Sequence, residues 1–121
     1  MEIELVKQGL KEFINENYKT SIDQFSKALE KNPHCTEAFI YRASSNEKLG
    51  NYNLAIEDLD KAQLEENYSQ YEYDILYGRA KLLIYLNIFK PALEELTKAK
   101  QLENLTEEKK SNLEKLIKLV S

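Results

Sequence analysis

Glycine and proline are scarce in this chain, three and two among 121 residues. That scarcity removes the punctuation a many-stranded β fold needs and, with abundant Leu, Lys, Glu and Ala, points to an all-helical protein. There is one cysteine, Cys35, so no internal disulfide can form, in keeping with a reducing compartment. No apolar run approaches the roughly 18 residues of a membrane span, and the opening "MEIELVKQGL" has neither the basic start nor the apolar stretch of an export signal. Membrane insertion is therefore not expected, and the expected location is the cytoplasm, with the nucleus open.

A basic stripe is also missing. Twenty-one acidic residues face 17 basic ones, a net charge of −4 with both signs scattered, and this speaks against a nucleic-acid partner. No glycine-rich phosphate loop occurs, and no His or Cys cluster has metal-ligand spacing. His34 and Cys35 are neighbours in a turn, where adjacent side chains point apart, so they make a poor nucleophile and base. The sequence thus predicts no catalytic residue, no metal, no cofactor and no small-molecule substrate. It does not read as an enzyme.

What the chain does contain is one phrase in three spellings: "ENYKTSIDQFSKA" from residue 16, "GNYNLAIEDLDKA" from 50 and "NIFKPALEELTKA" from 87. Aligned, they put Tyr18, Tyr52 and Phe89 in one column, then Ser21, Ala55 and Ala92, then Ile22, Ile56 and Leu93. Phe25, Leu59 and Leu96 follow, and Ala28, Ala62 and Ala99 close the set. The repeat is 34 residues and then 37, which places a three-residue insertion in "LEENYSQYEY". Within each copy the columns fall at i, i+3, i+4, i+7 and i+10, one face of a helix.

These are the second helices of three hairpins, with Asn17, Asn51 and Asn87 placed to cap their starts and Pro91 in a first turn where its missing N–H costs little. The first helices are expected near 3–14, 36–49 and 70–86. Thr36 is the expected N-cap of the second, and Ser69 with Glu72 reads as a capping box for the third. Gly9, Ala43 and Ala80 share a small column that lets helix axes approach. After the third copy, "LTEEKKSNLEKLIKLV" offers Thr106 as N-cap, Glu107 and Glu108 in the first turn, and Leu113, Leu116, Ile117 and Val120 on one face. It follows no repeat column and suits a helix covering the last open seam.

A 34-residue helical hairpin with a small residue, an aromatic, two alanines and a proline at these offsets resembles the tetratricopeptide repeat (TPR). The first copy carries Gly9, Phe13, Tyr18, Phe25, Ala28 and Pro33 in register. The second keeps Ala43, Gly50, Tyr52, Ala55 and Ala62 but has Asn67 at the proline position, and the third keeps Ala80, Phe89, Ala92 and Ala99. The resemblance covers nearly the whole chain. It implies an all-α, right-handed superhelix of seven helices forming a single domain over 1–121, with repeats at about 2–35, 36–69 and 70–105 and a capping helix at about 106–120.

In that family the first helices line a concave groove that takes a peptide or helix of another protein. By position, the groove here should present Val6, Leu10 and Phe13 beside Ile3, then Ile40, Tyr41 and Ser44 between Glu37 and Lys48. The third copy should add Tyr77, Lys81 and Tyr85 together with Asp74 and Gly78. Leu10 and Tyr41 are expected to face each other across the groove, away from the hairpin core. Co-chaperones of the family grip a Glu-Glu-Val-Asp tail with a clamp of Lys, Asn and Arg, but those columns hold Val6, Leu10, Tyr41, Asp74 and Gly78. An ionised tail placed there would lose water and gain no charged donor.

The apolar stripe is either an apolar groove or a mostly buried seam. The expected function is a non-enzymatic adapter binding a protein or peptide partner. A structural assembly module, by self-association or by docking within a larger protein, is the alternative, and a divergent co-chaperone is a third reading.

Overall fold

The computed structural model describes all residues, 1–121. It contains α1 (Glu2–Ile14), α2 (Tyr18–Lys31), α3 (Thr36–Lys48) and α4 (Tyr52–Gln63). A single 3₁₀ turn (Tyr68–Tyr71) follows, then α5 (Glu72–Tyr85), α6 (Phe89–Lys100) and α7 (Glu107–Val120), with no strand. The seven α-helices are those expected: three hairpins, α1–α2, α3–α4 and α5–α6, followed by a final helix. They form two compact units, Met1–Gln70 and Tyr71–Ser121, which are described separately.

The three hairpin turns share one backbone. Glu16, Gly50 and Asn87 occupy the same column, and all have positive φ, at 63°, 80° and 61°. In each turn this residue's N–H reaches back three residues and the next N–H reaches back five, as in Glu16 N to Phe13 O (2.9 Å) and Asn17 N to Glu12 O (2.8 Å). This is the left-handed stop that satisfies the last carbonyls of a helix.

It also corrects the expected caps. Asn17 and Asn51 close one helix while opening the next, and their side-chain amides turn back to the helix just ended, Asn17 to Glu12 and Asn51 to Asn46. Neither accepts a bond from the following helix. Asn87 is the left-handed residue itself, so Ile88 takes the N-cap position of α6. Thr36 lies inside α3, behind Cys35 as N-cap, and its hydroxyl donates to Asn67. Ser69 falls in the 3₁₀ turn, which the three-residue insertion places ahead of α5, so no capping box with Glu72 forms. Thr106 does cap α7, accepting from the Lys109 N–H at 3.2 Å.

In the unit of Met1–Gln70, the small columns form the helix seams. Val6, Phe25, Ala28 and Ala38 make a buried cluster that Leu5, Leu10, Leu29, Cys35 and Tyr41 pack against. Ala43, Ala55, Leu59 and Ala62 are buried as well. The α2–α3 seam also holds Ser21 and Ser45, both fully buried, with hydroxyls 2.8 Å apart. Each also lies in reach of a carbonyl of its own helix, Tyr18 O and Tyr41 O; with one proton apiece, one hydroxyl donates to its carbonyl while the other donates across the pair, so neither is left unmet.

In the unit of Tyr71–Ser121, α7 covers hairpin three. Its Leu113 is fully buried with Leu76, Ala80, Leu96 and Ala99, and Leu116, Ile117 and Val120 pack around them. One polar device recurs in both units. Arg42 of α3 forms a two-pronged bond to Asp58 of α4 (2.7 and 2.8 Å), and at the matching column Arg79 of α5 pairs with Glu95 of α6. The sequence reading did not anticipate these pairs. In copy one the same columns hold Gln8 and Gln24.

Candidate functional site

The residues assigned to the groove from sequence separate by burial. In the first unit Val6 and Ile40 are core, 9% and 7% exposed. Phe13 is half-buried with its ring edge-on to Tyr18 at 5.4 Å, and the Ser44 hydroxyl is turned to its own helix at Ile40 O. Leu10 and Tyr41 do not stand clear of the core as expected. Both lie half-buried against the Val6–Phe25 cluster, the Tyr41 ring 5.9 Å from that of Phe25. The cause is Gly9: with no side chain there, Phe25 fills the α1–α2 seam and draws its neighbours onto itself.

Two isoleucines of α1 remain outside. Ile3 is 63% exposed and Ile14 is 77% exposed. With Leu10 they lie at i, i+7 and i+11, one stripe about 16 Å long at 1.5 Å per residue. Their columns are not packing columns: Ile3 aligns with Glu37 and Asp74, and Ile14 with Lys48 and Tyr85, all exposed. Ile14 escaped the sequence reading, although the charge at the same column of copy two was a usable signal.

The stripe is also distinct from the edge by which first helices join a preceding hairpin. On α3 that edge carries Ala38, Tyr41, Arg42 and Ser45, which meet α2 through Phe25, Ser26 and Ser21. The equivalent residues of α1 are Glu4, Lys7, Gln8 and Lys11, all exposed. The exposed isoleucines of α1 are therefore not a seam stripped of its neighbour.

In the second unit, Tyr77 and Lys81 come together, and Tyr85 is 51% exposed. The Lys81 ammonium lies 5.1 Å from the Tyr77 ring centre, Tyr77 stacks on Tyr73 at 5.3 Å, and Lys109 of α7 closes the series 4.7 Å over Tyr73. Tyr73 was not foreseen. Its hydroxyl is sealed from solvent without a hydrogen-bond partner. Burial pushes its pKa above the usual phenol value, Tyr77 adds to the effect, and the nearby Asn112 amide offsets it in part.

The only thiol is poorly placed for chemistry. Burial pushes the Cys35 thiol up, Glu2 and Glu37 reinforce this, and the Ala38 N–H opposes it. His34 turns away to Glu65, with Nδ1 3.0 Å from its carboxylate. No group of three His, Cys, Asp or Glu residues converges as metal ligands would. No helix is long and apolar enough to cross a membrane.

No protein-family model matches this chain, and no curated protein matches it in sequence. Solved structures match it throughout. The first TPR of Spaghetti (RPAP3) bound to an HSP90 peptide is 20% identical, with a TM-score of 0.82, covering 98% of this chain and 91% of that one. The Yersinia enterocolitica type III secretion chaperone SycD, solved with a peptide of the translocator YopD, is 15% identical with a TM-score of 0.85, covering 97% and 89%. The TPR2B domain of yeast Sti1, in a complex with pHsp70, is 18% identical with a TM-score of 0.84, covering 97% and 93%. The chain has the fold of a TPR domain, three repeats followed by a capping helix.

Proposed function

We propose that this chain is a non-enzymatic, cytoplasmic interaction module that holds a peptide or helical segment of another protein on the first-helix face of its repeats through apolar anchors. The observation that carries the reading is the Ile3–Leu10–Ile14 stripe. Two large aliphatic side chains stand in solvent at columns that the other copies fill with charge or a tyrosine. Large apolar side chains aligned on one exposed helix face form a patch that a partner segment can cover. In the other unit, taken by itself, Tyr77 and Lys81 on α5 bring an aromatic and a cationic side chain together, the composition that anchors protein interfaces.

Peptide capture by Spaghetti, SycD and Sti1 is in keeping with this reading, while the chemistry of the captured segment differs here. Of the columns where co-chaperones place clamp donors, Val6 is core and Leu10 is half-buried. Neither can bond a carboxylate. The polar edge of α1 also disfavours an assembly module built by stacking a further hairpin on α1.

The test is affinity capture with the wild-type chain and with Ile3→Glu/Ile14→Glu, plus calorimetry with a Glu-Glu-Val-Asp peptide. The expected result is a partner held by the wild type and lost by the variant, with no heat from the acidic peptide. Equal capture by both proteins, or micromolar binding of the peptide, about −8 kcal/mol, would overturn the reading.

A further inference from the structure

The face that exposes Ile3 and Ile14 is complementary to a copy of itself. A two-fold axis passing through the middle of α1 exchanges position 3 with position 14 and position 7 with position 10. One repeat on, in α3, the same operation exchanges 37 with 48. The residues at these positions are Ile3 and Ile14, Lys7 and Leu10, Glu37 and Lys48. α1 and α3 belong to one unit and run in the same direction, since each packs against α2, which returns between them.

From this we infer that two copies of the chain pair face to face through this surface, α1 antiparallel to the α1 of the second copy. Ile3 meets the second Ile14 at each end of the seam. At the centre, the aliphatic stem of Lys7 covers the second Leu10 while its ammonium stays by Glu4, 4.0 Å away. On the flank, Glu37 faces the second Lys48 twice over. Such an interface is isologous, every contact made twice.

The charges select this arrangement among the ways two copies could meet. Parallel pairing of α1 with α1 needs a two-fold axis along the helices, which carries the two copies of α3 to opposite sides of the seam and leaves Glu37 and Lys48 unanswered. Antiparallel pairing answers both charges and both isoleucines with residues of the same face, so no third component is required. Because this pairing covers the stripe on which the adapter reading rests, the paired form is a closed state, and a partner segment would have to separate the copies. The inference goes beyond the adapter reading and is tested without any partner.

The experiment is sedimentation equilibrium of the full chain from about 5 to 500 µM, a span that brackets micromolar association. It compares wild type, Glu37→Lys, Lys48→Glu, the double reversal Glu37→Lys/Lys48→Glu, and Ile3→Glu/Ile14→Glu, with helical circular dichroism recorded for each. The expected result is a monomer–dimer equilibrium that either single reversal weakens about tenfold or more. The double reversal should restore it, and the isoleucine variant should abolish it at unchanged helicity. A wild type that stays monomeric throughout overturns the inference and leaves the adapter reading standing. A dimer indifferent to the single reversals, or not restored by the double one, also overturns it. The reversals alter only exposed residues, so loss of fold does not obscure the outcome.

Discussion

The β-carbon that Gly9 lacks would stand 2.4 Å from Cε1 of Phe25, too close for any side chain unless that ring moves. The other hairpins solve the same seam differently, with Ala43 beside Leu59 and Ala80 beside Leu96 at the equivalent columns. Gly9→Ala should therefore destabilise by about 1–3 kcal/mol through overpacking. Adding Phe25→Leu should recover part of that loss, the signature of a coupled pair. Urea melts of the two singles and the double decide it; strictly additive losses would show that the column is not a shared seam.

Glu16 holds a left-handed backbone, φ 63°, where copy two has Gly50 at φ 80°. That conformation strains a non-glycine residue by about 1–2 kcal/mol, and glycine's greater freedom in the unfolded chain returns part of this. Glu16→Gly should raise stability by about 0.5–1 kcal/mol, and Gly50→Ala should lower it. Thermal melts of both variants check the opposite signs.

Arg42 and Asp58 are a nearly buried pair, while copy one fills those columns with Gln8 and Gln24. Removing one partner strands the other. Arg42→Ala should cost about 3 kcal/mol, whereas Arg42→Gln/Asp58→Gln, which copies the uncharged hairpin, should cost much less. Equal losses in denaturant melts would mean that the ion pair contributes as charge and not as packing.

Tyr73 carries a sealed hydroxyl with no partner. Tyr73→Phe should be neutral or stabilising, by up to about 1 kcal/mol, since it deletes only an unsatisfied group. The sign with pH follows from the raised pKa. Above about pH 10 the unfolded chain gives up this proton first, so the stability present below that pH is lost as the solution becomes more alkaline. Melts from pH 8 to pH 11 should show a smaller alkaline loss for the phenylalanine variant than for wild type.

How much of this was legible in sequence depends on which forces act locally. The hairpins, the alanine seams and the Thr106 cap follow from apolar spacing and one hydroxyl at a helix start, features confined to a few neighbouring residues. The asparagine caps were misread because a turn of three residues makes one residue end a helix and begin the next, and the backbone bonds of the ending took precedence. Leu10 and Tyr41 were misplaced because helical spacing gives a residue's direction, whereas burial depends on what stands opposite, here Phe25 expanded into the space over Gly9. Ile14 was missed because it ended the apolar face of α1 and so looked like more core. The charge of Lys48 at the same column of copy two marks that column as solvated.

The stripe of Ile3 and Ile14 on α1 can be tested most directly by measuring binding and folding on the same samples. Once capture has supplied a partner segment, calorimetric titration of Ile3→Ala and Ile14→Ala should show weakening of about 1–2 kcal/mol each, as truncated anchors do. Thermal melts of the free variants should match wild type within about 0.5 kcal/mol, the range for exposed positions. Undiminished affinity in both variants would contradict the account and move the binding site off the α1 face.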